Sequence, residues 1–209
     1  MEIDRQDAFF IDQLWPKFLA TTPSKCLEPS SLATPDQFLP LHFFSCDNVT
    51  TPIPMVALQY HKVELRVRSG GDVGTSADTF KFYGNYIMLD TEERKWFAEN
   101  EHHLLITQTQ RINADANGSD LAYLNHPVKG LFWGQEANDT LETSNVQLNL
   151  NGTAVFNTTM PMKYFNTVTM YQHSENAVPG AAGSITNDTS KYMYSFASVV
   201  NKHQPSGTC

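Results

Sequence analysis

The most regular pattern in the chain is the alternation of polar and apolar residues toward the end of Pro54–Arg68. From position 62 onward, Val63, Leu65 and Val67 fall on one face, and charged residues fall on the other. A period of two residues is typical of a β-strand that buries one face and exposes the other. We therefore predict that Pro54–Arg68 is a strand with a buried apolar face.

Shorter apolar runs separated by turn-forming residues predict further strands. These segments are Leu39–Ser45, Tyr86–Leu89 (expected to be buried), Leu105–Gln110, Leu124–Trp133, Asn145–Leu150 and Tyr192–Ala197. Asn151 and Gly152 form a dipeptide that favours a tight turn, which predicts a hairpin between Leu150 and Val155. Met162–Gln172 fits either a helix or a strand. Many short strands with few helices predict an antiparallel sandwich or jelly roll.

One capped helix is predicted between two strand-rich halves. Asp90 has the features of a helix N-cap, and Glu93 three residues later completes a capping box. Glu92 and Glu93 also place negative charge in the first turn, where it meets the positive end of the helix dipole. The apolar stripe of this helix consists of Trp96, Phe97, Leu104 and Leu105. We expect the helix to cover residues 91–104 and to act as a connector.

The remaining segments are predicted from weaker signals. Apolar residues at four-residue spacing suggest a short amphipathic helix over residues 7–19, although Pro16 disfavours it. Segments rich in Gly, Pro, Ser, Thr or Asn predict loops at residues 21–40, 69–80 and 177–189.

Composition and charge narrow the function. With 209 residues, 41% of them hydrophobic, the chain is able to bury a core. A net charge of −8 argues against direct binding of nucleic acid or of an anionic membrane. No apolar run approaches the ~20 residues of a membrane span. The three cysteines show no metal-type spacing, so we expect reduced thiols, and six Asn-x-Ser/Thr sequons reflect the abundance of Asn and Thr.

Candidate catalytic and ligand-binding patterns are weak. His102 and His103 are adjacent, which places their rings too far apart to share one metal ion. No Lys-Ser or Lys-Thr pair follows the glycines of residues 70–74, as a phosphate-binding loop requires. Cys46 has His42 nearby in sequence but no group to orient it. We therefore predict no catalytic residues, no cofactor and no metal site.

Several segments between residues 38 and 209 form an ordered series that is distinctive of one protein family. They are Phe38–Phe44 with Ile53–Val63, Tyr86–Ala98, Leu124–Lys129, Tyr164–Asn166 with Tyr171–His173, and Tyr194–Ala197 with His203–Cys209. Together they resemble the double jelly-roll major capsid proteins of nucleocytoplasmic large DNA viruses, the iridovirus, algal-virus and giant-virus group. Residues 1–37 contribute little to this resemblance.

The resemblance implies an all-β, double jelly-roll fold of the viral capsid type. Residues 1–90 would be the C-terminal part of the first jelly roll, 91–104 the helical connector, and 105–209 the second jelly roll, incomplete at its C-terminal end. Family members carry most of a first jelly roll upstream and further strands downstream. The chain therefore resembles an internal fragment of such a protein.

In function, the resemblance implies a structural capsid subunit and not an enzyme. Such subunits form homotrimers, the pseudo-hexagonal capsomers that tile an icosahedral shell, and neighbouring capsomers and minor capsid proteins are their further partners. The implied location is the virion shell, assembled in the host cytoplasm.

Two other functions remain open at this stage. The first is a jelly-roll carbohydrate-binding module at a cell or virion surface, in which Trp133 and Tyr123 would stack on sugars. The second is a cupin-like oxygenase, which would need a metal ion and for which the histidine spacing gives no support.

Overall fold

A computed structural model of the chain describes residues 4–6, 41–46, 50–67, 82–112, 124–134, 145–174 and 191–209. Contacts divide the chain into two compact units: Met1–Phe44 with Ile106–Cys209, and Ser45–Leu105. The predicted helix over residues 7–19 and the predicted loops at 21–40, 69–80 and 177–189 lie outside the described residues.

The described elements are short, and the strands outnumber the helical segments. In chain order they are α1 (Thr91–Glu99), β1 (Gly130–Gly134), β2 (Asn145–Val146), β3 (Asn149–Leu150), β4 (Thr153–Ala154), β5 (Met160–Pro161), a π-helical segment (Tyr164–Val168), α2 (Thr169–His173) and β6 (Lys191–Ser195). All pairing is antiparallel: β1 with β6, β2 with β5, and β3 with β4. Helix α1 belongs to the second unit, and the other described elements belong to the first.

The longest pairing joins two strands that are about 60 residues apart in sequence. In the β1–β6 ladder, Leu131 lies opposite Tyr194 and Trp133 lies opposite Tyr192. The predictions of a strand within Leu124–Trp133 and of another at Tyr192–Ala197 are confirmed, with β6 ending at Ser195.

The predicted hairpin at Asn151 and Gly152 is confirmed. The two residues have φ angles of 50° and 78°, the left-handed values that a type I′ turn needs at both central positions. Glycine and asparagine adopt this region at lower cost than other residues. The predicted single strand Asn145–Leu150 is instead two strands, β2 and β3, which pair with different partners.

Met162–Gln172, whose sequence fits either a helix or a strand, is mostly helical. The π-helical segment runs directly into α2. Phe165, Asn166 and Thr169 form its buried side, while Tyr171 faces solvent. Together with the buried Met162 these residues fall at i, i+3, i+4 and i+7, and the two polar members hide this helical period from a simple apolar count.

Helix α1 begins as predicted and ends earlier. The Asp90 side chain and the Glu93 side chain form the capping box reciprocally. The helix stops at Glu99, because Asn100 is extended and its side-chain amide donates to the Trp96 carbonyl at 2.8 Å. The His102 ring then lies 2.8 Å from the Phe97 carbonyl. The His102 ring thus lies against a carbonyl that the next helical amide would have used, while the Trp96 carbonyl also accepts from the Asn100 backbone amide at 3.1 Å.

Four predicted strands are absent from the described residues. Residues 41–46, 54–67, 86–89 and 105–110 form turns or extended chain outside any ladder. The expected burial is also wrong: Val63, Leu65 and Val67 expose 50%, 43% and 55% of their surface, and Tyr86 exposes 83%. An alternating pattern gives a strand only where a partner strand supplies hydrogen bonds and a cover for the apolar face.

Candidate functional site

Five of the segments that carry the family resemblance lie in or around β6: Leu124–Lys129, Tyr164–Asn166, Tyr171–His173, Tyr194–Ala197 and His203–Cys209. The amide of Val128 donates to the carbonyl of Cys209 at 2.7 Å, and the amide of Cys209 donates back to Val128 at 2.9 Å. The amide of Phe196 donates to the carbonyl of Lys129 at 3.1 Å. We call β6, residues 128–134, the helical residues 164–173 and the tail 196–209 the β6 frame.

The side of β6 that faces away from β1 is closed by polar side chains. The Phe196 amide points toward the β1 side, where it donates to the Lys129 carbonyl. Because backbone groups alternate in direction along a strand, the carbonyls of the odd-numbered residues of β6 point away from β1. The Asn166 amide donates to the Lys191 carbonyl at 2.7 Å. The Thr169 hydroxyl lies 2.9 Å from the Met193 carbonyl and 2.6 Å from that of Phe165. This strand edge is therefore blocked against further pairing at two positions.

Replacing Thr169 with valine is expected to lower the unfolding free energy by about 1.5 kcal/mol, because the buried Met193 carbonyl loses this donor. Urea denaturation of the whole chain measures the change. Thr153→Val makes the same chemical change on exposed β4, where an effect within about 0.5 kcal/mol is expected. Equal stability of the two variants would contradict this role of the Thr169 hydroxyl.

His173 holds the turn that follows β6. Its Nδ1 lies 2.9 Å from the Ala197 carbonyl and 3.2 Å from that of Ser198. Its own carbonyl accepts from the Val200 amide at 3.0 Å. The Ser198 amide donates to the Ser206 hydroxyl at 2.7 Å, which fixes the tail against the same turn. His173 is thus a structural residue.

The glycine of the Pro-Ser-Gly-Thr-Cys segment, Gly207, is required because there is no space for a side chain at this position. A Cβ atom on Gly207 would lie 2.6 Å from the backbone carbonyl oxygen of Phe196. Such a distance is far inside van der Waals contact, so only glycine fits here without a shift of the tail. This segment carries part of the family resemblance, but no pattern in the sequence indicates that its glycine lies against the end of β6.

Aromatic rings fill the centre of the β6 frame. Phe165 is completely buried, and its ring centroid lies 5.2 Å from Trp133, 5.2 Å from Tyr164 and 5.9 Å from Phe156. Trp133 also stacks on Tyr192 at 6.1 Å. Edge-to-face and offset contacts of this kind add to the burial of apolar area. Trp133 is therefore a packing residue, unlike the exposed ring that sugar stacking needs, and Tyr123 lies outside the described residues.

A second polar cluster in the same unit ties residues 4–6 to two distant segments. The Asp4 carboxylate accepts from the Thr109 amide at 2.8 Å and from the Gln6 side chain at 3.0 Å. The Gln6 amide also donates to the His42 carbonyl at 2.7 Å. Burial raises the pKa of Asp4 against the effect of these hydrogen bonds, and burial lowers the pKa of His42 to about 4.

The His42 shift predicts acid sensitivity. The imidazole is neutral in the folded chain but protonates near its ordinary pKa of 6.5 when unfolded. Its stabilising contribution is therefore present above pH 6.5 and is lost as pH falls toward 4. Comparing urea denaturation of wild type and His42→Asn at pH 7 and pH 4.5, we expect the wild type to lose about 1 kcal/mol more, after allowance for partial exposure.

Asp4 has the opposite sign, because a raised carboxyl pKa gives stability that is lost as pH rises through it. Asp4→Asn therefore serves as the control, and its acid loss should exceed that of the wild type. Parallel pH profiles for wild type and His42→Asn would contradict the account of His42.

The other candidate groups have separate, local contacts. His103 lies 3.5 Å from the Glu101 carboxylate, while His102 stacks on Phe97 with centroids 5.1 Å apart. Cys46 and Cys209 are free and exposed, and Cys26 lies outside the described residues. No group of three or more His, Cys, Asp or Glu side chains in the described residues is placed to hold a metal ion. Nor does any described helix have the length and apolar character to cross a bilayer.

Comparison with known proteins gives the class of the chain. No protein-family profile matches it. Its sequence does match curated proteins of viral capsids, as follows. The chain is 36% identical over 219 residues to the major capsid protein of Pyramimonas orientalis virus, an alignment that covers 90% of the chain and 54% of the relative. It is 28% identical over 232 residues to that of Paramecium bursaria Chlorella virus 1, covering 82% and 51%.

A third relative, capsid protein 1 of Acanthamoeba polyphaga mimivirus, is 35% identical over 115 residues, or 46% of the chain and 19% of the relative. Among solved structures, the PBCV-1 virus capsid matches with a TM-score of 0.44 and 27% identity, over 59% of the chain and 39% of the matched chain. The sequence identities make the chain a homologue of the major capsid proteins of nucleocytoplasmic large DNA viruses, and this prediction is confirmed. It spans about half the length of the first two relatives.

Proposed function

We propose that the chain is part of a structural capsid subunit of a large DNA virus, and that this subunit forms homotrimeric, pseudo-hexagonal capsomers. The observation that carries the proposal is the 36% identity to a major capsid protein along 90% of the chain. Under this proposal the fold is a double jelly roll. Residues 1–90 end the first jelly roll, 91–104 connect, and 105–209 belong to the second.

The β6 frame supports a structural function. His173, Asn166 and Thr169 all direct their polar atoms at backbone carbonyls of the same unit. Polar side chains used in this way fix the positions of the strand and the tail, which is a structural role. We propose accordingly that the protein has no catalytic, cofactor or metal site.

Self-association is the proposed mechanism. Three subunits that meet head to tail close into a ring when each contact rotates the next subunit by one third of a turn. The trimers then contact neighbouring capsomers and minor capsid proteins in the virion shell, which forms in the host cytoplasm. Neither nucleic acid nor a membrane needs to be bound by this chain itself.

Native mass spectrometry of the complete product of the encoding gene tests the proposal. The expected species has three times the subunit mass and persists at micromolar concentration, since subunit interfaces of obligate assemblies are large. A monomer at all concentrations would contradict the trimer. Binding of that monomer to a glycan array would instead favour a carbohydrate-binding module.

A further inference from the structure

The tight turn between β3 and β4 contains a chemically labile asparagine. Asn151 and Gly152 are both exposed. Within the described part of the chain, no heavy atom beyond the chain neighbours lies within 4 Å of the place that a Cβ on Gly152 would occupy. In an Asn-Gly pair the following backbone nitrogen is able to attack the side-chain amide carbon, and glycine puts no side chain in its way. The reacting nitrogen is therefore unhindered at this turn.

The β3–β4 ladder does not use the Gly152 amide. The last pair of the ladder is Leu150 with Thr153, so both turn residues lie beyond it. Further from the turn, the Val155 amide donates to the Leu148 carbonyl at 2.9 Å. Strand pairing thus holds the two arms of the hairpin together and leaves the nitrogen that would react outside the ladder.

The conformation of the turn protects Asn151 while the hairpin is closed. Its φ of 50° is left-handed, and this region brings the Cβ atom of a residue close to its own carbonyl oxygen. The Gly152 nitrogen is bonded to the same carbonyl carbon on the opposite side, so it points away from the side-chain amide. Ring closure therefore requires a rotation at Asn151 that breaks the turn.

Opening of this hairpin is inexpensive and local. Strands β3 and β4 have two residues each, and Asn149, Thr153 and Ala154 are exposed. Exposed residues bury little apolar surface, so little stabilisation is lost when they separate. Beyond the hairpin, the Phe156 ring packs against the buried Phe165 ring at 5.9 Å and anchors the chain to the core. The hairpin is therefore able to open while the core stays packed.

We propose that Asn151 is a site of spontaneous deamidation that reacts from the open form of the β3–β4 hairpin. The Gly152 nitrogen bonds to the side-chain carbonyl carbon, the bond from that carbon to the side-chain nitrogen breaks, and ammonia leaves with the proton of the Gly152 amide. Water then opens the succinimide ring at either carbonyl, which gives aspartate or isoaspartate. Both products add a negative charge, and isoaspartate also lengthens the main chain, which shifts the register that a two-residue turn sets. This chemistry does not depend on the proposed capsid function.

Peptide mass spectrometry of the whole 209-residue chain during incubation at mildly alkaline pH tests the proposal. Exchange of the side-chain amide for a carboxyl group raises the mass of the peptide that contains Asn151, and fragmentation locates the change. The chain unfolded in urea gives the reference rate for the same peptide. Because local opening exposes little surface, the rate in the folded chain should change by less than about twofold between no urea and half of the unfolding midpoint.

A disulfide across the hairpin supplies the matched control. Asn149 and Ala154 lie opposite each other, next to the hydrogen-bonded pair of Leu148 and Val155, so theirs is the closer, non-hydrogen-bonded type of pair. In the double variant Asn149→Cys with Ala154→Cys, formation of the disulfide should slow deamidation at Asn151 by at least about tenfold. Reduction of the same sample should restore the rate.

Three results would overturn the proposal. The first is an unchanged Asn151 peptide in the folded chain after about 100 times the period that the unfolded chain needs, since the hairpin would then not open locally. The second is a rate that rises exponentially with urea, which would show that the reaction starts from the globally unfolded chain. The third is an equal rate in the oxidised and reduced double variant, which would show that the closed turn itself reacts.

Discussion

Replacement of Phe165 with alanine should lower the unfolding free energy of the chain by about 4 kcal/mol, the middle of the range for large aromatic truncations in cores. Phe165 has no exposed surface, and its ring contacts those of Trp133, Tyr164 and Phe156. The lost ring leaves a cavity between the helical residues and β6, which rigid backbone on both sides prevents from closing. Domains of this size are stable by only about 5–15 kcal/mol, so this change removes a large fraction of the total unfolding free energy.

Tyr171→Ala provides the matched control for Phe165→Ala. Tyr171 is an aromatic residue of the same helical stretch, but 76% of its surface is exposed. Its truncation should change the unfolding free energy by no more than about 0.5 kcal/mol. Urea denaturation followed by tryptophan fluorescence measures both variants, since Trp133 packs directly on Phe165. Equal losses for the two variants would show that the described core is not the one that stabilises the chain.

Replacement of Gly207 with alanine should have the second largest effect, about 2–3 kcal/mol, the range for forced overpacking. The new methyl group would lie 2.6 Å from the Phe196 carbonyl oxygen. Both groups are attached to backbone, which cannot move aside as easily as the end of a flexible side chain. Relief requires the tail to move, which weakens the paired hydrogen bonds between Val128 and Cys209. Amide exchange at these two residues should therefore accelerate together with the loss of stability.

Gly84→Ala makes the same chemical change where the nearest atom, on the Tyr86 ring, lies at an ordinary 3.7 Å. No loss of stability is expected there, and replacing a glycine can even add a few tenths of a kcal/mol by restricting the unfolded chain. If Gly207→Ala were as stable as Gly84→Ala, the tail would not pack against the end of β6 as described.

Local sequence signals predicted local structure well. The Asp90 and Glu93 capping box forms because its partners are three residues apart and need no distant cover. The turn at Asn151 and Gly152 forms because these residues tolerate positive φ by their own chemistry. In both places the conformation depends only on residues within the same short segment, so it can be predicted from the local sequence.

Predictions that depended on a distant partner were less successful. The alternation around Leu65 defines an apolar face, but it does not supply the strand that would cover it. The hydrogen bond of the buried Thr169 was also not predicted. Its acceptor is the Met193 carbonyl, 24 residues later in the chain, and the local sequence around Thr169 does not indicate that partner. The sequence signal that could have indicated this contact is the position of Thr169 between the apolar residues Val168 and Met170.

The measurement that tests the central claim most directly is cryo-electron microscopy of virus particles purified from the source of this sequence, with peptide mass spectrometry of the same sample. The claim predicts peptides of this chain among the most abundant proteins, and threefold capsomers whose density accommodates the β1–β6 ladder with the tail paired to Val128. Particles whose shell is built from a different protein, with peptides of this chain absent, would contradict it.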